Sequence, residues 1–198
     1  MPEQIANLFV IFFVTIFINN IVLTHFLGIC PFVAVSKEIP TAFGMGMAVI
    51  FVMFMTMGIN WPLYHLVLVP FNVEYLQFLV FIFVIASFVQ IVELFIDRYS
   101  PVLYVSLGVF LPLITVNCAI LGVSLFAIIR DYSYPQCLAF ALGSGVGWTL
   151  AIIAMAGIRQ KLTFSKIPPG LQGPGITLII AGIMALAFMG FAGILSMN

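Results

Sequence analysis

The sequence predicts an all-α integral membrane protein: six transmembrane helices forming two inverted three-helix repeats, with helices 1 and 4 broken near the midplane. Three observations predict it. First, 64% of the 198 residues are hydrophobic and only 6% are charged, against about 45–50% and about 25% in ordinary soluble domains. Second, six Lys/Arg and six Asp/Glu cannot build the charged shell that a soluble fold of this size needs, and mean hydropathy is +1.30. Third, the charges bound six charge-free stretches, 4–36, 39–73, 75–92, 99–129, 132–158 and 167–198, each long enough for the roughly 20 apolar residues that cross a hydrocarbon core of about 30 Å. Zero net charge excludes a basic nucleic-acid surface and an acidic tail, and three Cys exclude a Cys-rich secreted scaffold.

The first span is expected near 5–27. Runs such as FVIFFVTIFI (9–18) lack the alternation of a β-barrel strand, and MPEQ lacks the basic start of a cleaved signal peptide. Its stretch is about ten residues longer than one crossing needs, and Gly28 and Pro31 flank Cys30, so a break is expected there. The second span, near 41–60, carries Gly44 and Gly46, and the third lies near 75–96. Trp61, Tyr64 and His65 between them read as interfacial residues. The fourth span, near 102–126, is again long, with Pro112 ahead of Asn117 and Cys118. The fifth, near 135–157, carries Gly143, Gly145 and Gly147, and the sixth, near 174–195, follows a stiff turn in PPGLQGPG (168–175). Asn19, Asn20 and Cys30 in the first span are echoed by Asn117 and Cys118 in the fourth, and the glycines of the second by those of the fifth. An odd set of spans repeated in tandem is inserted upside down. The expectation is one domain, 1–198, with halves of about 1–97 and 98–198.

Lys37, Arg98, Arg159, Lys161 and Lys166 fall in alternate loops, with only Arg130 on the other face. The positive-inside rule therefore puts the first face in the cytoplasm and both termini outside.

Soluble catalytic motifs are missing: there is no GxxxxGK(S/T), HExxH, CxxC or GxSxG. Gly143 and Gly147 form a GxxxG spacing, read as close helix packing. Cys30 and Cys118 read either as small buried hydrophobes or as two thiolates at corresponding points of a repeat, which make half a metal site. A 2Fe–2S cluster needs four ligands, and Cys137, near the end of span 5, is poorly placed to help, so a second chain would complete it. Glu93 and Asp97 lie four residues apart with Gln90 on the same helical face. They are either an interfacial pair near Arg98 or the intake point of a cation path, which intramembrane carboxylates often mark. His25 is read as a hydrogen-bonding neighbour of a sulfur or of broken-helix carbonyls rather than as a ligand.

FLGICPFVAVSK (26–37), LGVFLPLITVNCAILGVS (107–124), FALGSGVGW (140–148) and IPPGLQGPGITLIIAGIMALAFMGF (167–191) resemble the paired membrane subunits of two related respiratory complexes. These are the D and E subunits of the sodium-translocating NADH:quinone oxidoreductase, and the A and E subunits of the Rnf ferredoxin:NAD oxidoreductase. The resemblance runs over nearly the whole chain. RDYSY (130–134), SGVGW (144–148), AGIR (156–159) and PPGL (168–171) look more like the E side of the sodium pump, while CPF (30–32) is also found on the Rnf side, where the A subunit is the alternative. The resemblance implies a translocase component in the bacterial inner membrane, not catalytic alone, beside a homologous D subunit and the A, B, C and F subunits. It implies that Cys30 and Cys118 give half of an intramembrane 2Fe–2S cluster that relays electrons, and that QIVELFID (90–97) makes Glu93 a candidate for sodium uptake. Flavins, NADH and quinone belong to the other subunits; this chain lacks the Ser/Thr-Gly-Ala-Thr type of flavin motif. The competing classes are a secondary transporter of inverted-repeat type and a scaffold component with inert cysteines.

Overall fold

The computed structural model describes residues 2–99, 111–164 and 173–195. Lys166, the first part of the fourth expected span and most of the 168–175 turn lie outside the described residues. All described regular structure is helical: α1 (Pro2–Phe17), α2 (Ile21–His25), α3 (Ile29–Val35), α4 (Ile39–Leu63), α5 (Gln77–Tyr99), α6 (Leu111–Thr115), α7 (Cys118–Ile129), α8 (Tyr134–Leu162) and α9 (Pro174–Leu195).

The expected six spans are corrected to four. Among the described residues, four helical segments are long and apolar enough to cross a membrane: Ile39–Leu68, Glu74–Phe95, Pro112–Ile129 and Tyr134–Leu162. The apolar helical portions within α1 and α9, Asn7–Phe17 and Pro174–Gly190, are shorter. The physical reason in the first stretch is chain breakage. Helix α1 has 16 residues, a rise of about 24 Å, and stops where the Asn19 N–H turns back to Val14 O. Helix α2 ends after five residues at Phe26, which takes a left-handed conformation (φ 56°). The two halves also do not match. The first span is broken at 18–20 and at 26–28, whereas the described part of the fourth is broken at 116–117, and no inverted three-helix repeat is described among these residues.

The long helices have identifiable causes at their ends. Helix α8 starts with a capping box, in which the Ser133 side chain and Gln136 side chain satisfy each other's backbone N–H groups, and Pro135 occupies the first turn. Pro62, inside α4, removes a donor, and the chain then widens into a π-type turn at Tyr64–Leu68.

Helices α4 and α8 form the most extensive contact, and α1 lies along the other side of α8. Lipid gives no hydrophobic drive between helices, so close approach comes from small residues. A Cβ on Gly143 would sit 2.9 Å from Phe12 O, and one on Gly147 3.1 Å from Ile16 O. On the opposite face of α8, a Cβ on Gly145 would sit 3.0 Å from Ile50 Cα, while one on Gly46 of α4 would overlap the Thr149 side chain. The Gly143–Gly147 spacing thus serves helix packing, as its sequence suggests. Large apolar side chains such as Phe9, Phe83 and Leu186 stay exposed at the periphery.

These contacts also order the chain along α8. Phe12 meets Gly143, Ile16 and Asn20 meet Gly147, Gly28 meets Trp148, and Val33 and Ser36 meet Arg159. Segments α1 and α3 therefore meet α8 in the same chain order, while α2 lies between contacts to the adjacent residues Gly147 and Trp148. The start of α1 lies beside Pro135, where Leu8, Phe9 and Phe12 share a groove with Leu138 and Leu142.

Gly143→Val is expected to lower the thermal stability of the detergent-solubilised protein by about 1–3 kcal/mol, because Phe12 backbone must move. Gly157→Ala, with open space around its Cβ, is expected to be neutral or slightly stabilising. A thermal-unfolding comparison of the two variants checks both.

Candidate functional site

The breaks in the chain form the site. An interrupted helix inside a bilayer leaves donors and acceptors that water cannot reach, so protein must satisfy them. Asn20 and Asn117 do this at two of the breaks. The Asn20 Oδ1 accepts the Val22 N–H at 3.2 Å, and Asn117 Oδ1 accepts the Ala119 N–H at 3.0 Å; each caps the helix that follows it, α2 and α7. The Asn20 Nδ2 also donates to Gly147 O at 2.8 Å and Ile16 O at 3.2 Å, tying the first break to α8.

Gly28 joins the two broken segments. It precedes α3 with φ 78°, a left-handed conformation that costs other residues roughly 1–2 kcal/mol. Its N–H donates to Cys118 Sγ at 2.9 Å, and its carbonyl accepts from Trp148 Nε1 at 3.4 Å. A Cβ at this position would lie 2.7 Å from Trp148 Nε1, 2.9 Å from Ala119 Cβ and 3.1 Å from Asn117 Oδ1. Glycine is required twice over, by conformation and by space.

The structure therefore brings the predicted ligand segments together. Cys118 is the first residue of α7 and is half-buried; Cys30 lies in the first turn of α3, two residues beyond Gly28, and is exposed on the isolated chain. Cys118 and Asn117 also line a cavity of about 300 Å³ closed on its other side by Ile82, Ile85 and Ala86 of α5.

The remaining candidates lie elsewhere. Cys137 is fully buried in the first turn of α8 and donates to Tyr132 O at 3.4 Å. His25 packs its ring on Phe126, 4.8 Å between centroids. His65 stacks on Trp61 at 4.2 Å, and Trp61 Nε1 donates to Tyr132 O at 2.9 Å, anchoring the far end of α4. Glu93 is half-buried on α5, about two turns beyond the cavity-lining Ala86; the Asp97 side chain lies outside the described residues. Among the described residues, no group of three or more His, Cys, Asp or Glu side chains is gathered.

Arg159 and Trp148 are two contributors that a charge-and-motif reading misses. Arg159 Nη1 donates to Val33 O at 2.9 Å and to Ser36 Oγ at 2.8 Å, satisfying carbonyl and hydroxyl at the end of α3, where Ser36 is fully buried. The only sequence signal is its place in AGIR, where it counts as a loop charge. This bond brings the end of α8 to the α3–α4 link, so Lys37, Arg159 and Lys161 share one end of the molecule. Trp148 is fully buried, and its role is to hold Gly28.

Fold and site together define a multi-pass, all-α membrane protein whose interrupted helices are stitched together beside two cysteines. Residues 8–195 match the Rnf-Nqr subunit family of membrane proteins, and the chain belongs to that family. It is 52% identical over 188 residues to the A subunit of the ion-translocating oxidoreductase complex of Syntrophotalea carbinolica, covering 95% of this chain and 97% of that protein. It is 48% identical over 202 aligned positions to the E subunit of the Na(+)-translocating NADH-quinone reductase of Idiomarina loihiensis and, equally, of Nitrosomonas europaea, covering 97% of this chain and 98% of theirs.

Gly28→Ala is expected to lose the contact to Cys118 Sγ. Alkylation followed residue by residue by mass spectrometry should find Cys118 labelled several-fold faster than in the wild type, with the buried Cys137 unchanged.

Proposed function

We propose that this chain is a membrane component of an ion-translocating oxidoreductase complex, in which Cys30 and Cys118 hold half of a 2Fe–2S cluster and a homologous membrane chain supplies the other half. The observation that carries this reading is the 2.9 Å bond from Gly28 N–H to Cys118 Sγ, which pins the loop leading to Cys30 against the other cysteine. The donor set fits half a site: two thiols stand at helix breaks, whereas a cluster of this kind takes four ligands. A buried Asn117 Nδ2 beside Cys118, without a partner among the described residues, adds to the fit.

When bound, such a cluster supplies a one-electron carrier part-way through a core of about 30 Å. This chain's residues supply the rest. Gly28 presents its N–H to the Cys118 sulfur, Asn20 and Trp148 fix the breaks to α8, and fully buried Phe32 and Trp148 keep water from the Gly28 loop. Flavins, NADH and quinone are assigned to the other members of the complex.

Sodium coupling is assigned to Glu93, a half-buried carboxylate on α5, as the intake point of a cation. Negative charge gained on reduction in a low-dielectric medium attracts a cation more strongly than in water, which gives the coupling its motive. The end carrying Lys37, Arg159 and Lys161 is assigned to the cytoplasm. The start of α1, beside Pro135 at the opposite end, is then on the outer side of the inner membrane.

Two complexes compete for the chain. RDYSY, SGVGW and AGIR support the E subunit of the sodium pump, with the D subunit as partner and the A, B, C and F subunits around it. The 52% identity supports the A subunit of an Rnf-type complex. So does the alignment, since 188 positions fit within the chain while 202 exceed its 198 residues and require gaps in it. Electron-donor specificity of the purified complex decides between them: NADH reducing quinone for the first, ferredoxin reducing NAD for the second.

Cys30→Ser and Cys118→Ser are each expected to remove two irons and one reduced 2Fe–2S signal from the assembled complex, after subtraction of any cluster held by other chains. Cys137→Ser should leave both intact. Iron analysis with low-temperature EPR checks this, and unchanged iron and signal in both ligand variants would sink the electron-relay reading. Glu93→Gln is expected to raise the sodium concentration for half-maximal turnover several-fold at unchanged iron content, as read from steady-state rates against sodium.

A further inference from the structure

Two asparagines cap the segments after two breaks, and they differ in one respect. Asn20, fully buried, uses all of its amide: Oδ1 accepts from Val22 N–H, and Nδ2 donates to Ile16 O and Gly147 O. Asn117, 3% exposed, uses only half. Its Oδ1 accepts from Ala119 N–H at 3.0 Å, and its Nδ2 is buried with no partner among the described residues. The orientation of the amide is not free. Turning it over would set NH₂ against the Ala119 N–H, donor against donor, and would remove the cap. The cap therefore keeps buried in a membrane interior a donor with no partner among the described residues, where an unpaired group is costly.

The surroundings indicate what it donates to. Asn117 is adjacent in sequence to Cys118, both line the same cavity of about 300 Å³, and the Asn117 Oδ1 lies near Gly28, whose N–H already serves Cys118 Sγ. The other described walls of that cavity are Ile82, Ile85, Ala86, Thr115, Val116 and Leu121. A sulfur acceptor held at Cys118 would stand on the side of the chain where Asn117 lies.

We propose that Asn117 Nδ2–H is a positioning and tuning donor to a sulfur of the cluster half held by Cys118, and that it raises the reduction potential of that centre. The inference rests on the cluster reading above and extends it to a residue that is not a ligand. Hydrogen bonds to cluster or ligand sulfurs favour the more negative, reduced form, so losing one lowers the potential. Asn117 couples this effect to the fold, because the same amide caps α7 through its oxygen.

The test uses the assembled complex with Asn117→Ser. Serine keeps an acceptor for the Ala119 N–H and is a good N-cap, but does not extend an N–H to the position of Nδ2. The expected result is a retained 2Fe–2S signal whose midpoint, followed by EPR-monitored redox titration, falls, with the reduction equilibrium shifted several-fold and up to about tenfold, or about 59 mV for one electron. A retained signal with an unchanged midpoint overturns the proposal and assigns the donor to water or to the partner chain. If the variant does not assemble, wild-type complex labelled with amide-¹⁵N asparagine gives the answer by pulsed EPR. A ¹⁵N coupling at the reduced centre is expected, and its absence overturns the proposal. Failure of the cluster reading is distinguishable, because then the wild type carries no intramembrane 2Fe–2S signal at all.

Discussion

Every break in a membrane helix must return its backbone polar groups to the protein, and this constraint organises the molecule. Helices α1, α2, α3 and α7 are pieces of a chain that stops and restarts, and side chains repair several of the ends. Asn20 and Asn117 supply oxygens to α2 and α7, and Arg159 supplies two N–H bonds at the end of α3. Such caps are worth roughly 0.5–2 kcal/mol each at exposed helix ends; within lipid the alternative is an unsatisfied group. Cys30 and Cys118 stand where these repairs are densest.

The breaks stay in register because they lean on a platform of small residues. The α8 helix carries glycine on opposite sides, Gly143 and Gly147 toward α1 and Gly145 toward α4, and so brings three segments within backbone contact. Asn20 then reaches Gly147 O, and Trp148, one residue on, reaches Gly28 O. Packing and site are thus one construction: widening the α1–α8 contact would withdraw the groups that hold Gly28 against Cys118.

Much of this is legible in the sequence, and the reasons are physical. Scarcity of charge identifies a membrane protein, Gly28 and Pro31 around Cys30 mark a break, and the Gly143–Gly147 spacing marks a packing face. Charge-free length, however, counts apolar residues and not continuous helix. The stretch 4–36 is long enough for a span, yet Asn19–Asn20 and Phe26–Gly28 cut it into three pieces; among the described residues four helical segments are long enough to cross, and no inverted repeat is described there. Pairwise roles are also hidden. Arg159 counts as a loop charge until Ser36 and Val33 are brought to it from 123 and 126 residues away. Gly28 looks like punctuation until Trp148 and Cys118 close on it. Asn117 reads as part of an Asn-Cys pair, and only its buried, unused Nδ2 separates it from Asn20. Glu93 lies on α5, apart from the cavity that Cys118 lines.

The most direct test of the account is an electron cryo-microscopy structure of the assembled complex at a resolution that shows metal and side chains. The account predicts metal density bonded to Cys30 and Cys118 of this chain and to two cysteines of a homologous membrane chain, with the Gly28 N–H still against Cys118 Sγ. Cysteines facing lipid or packed against apolar side chains, with no metal between the two chains, would contradict it.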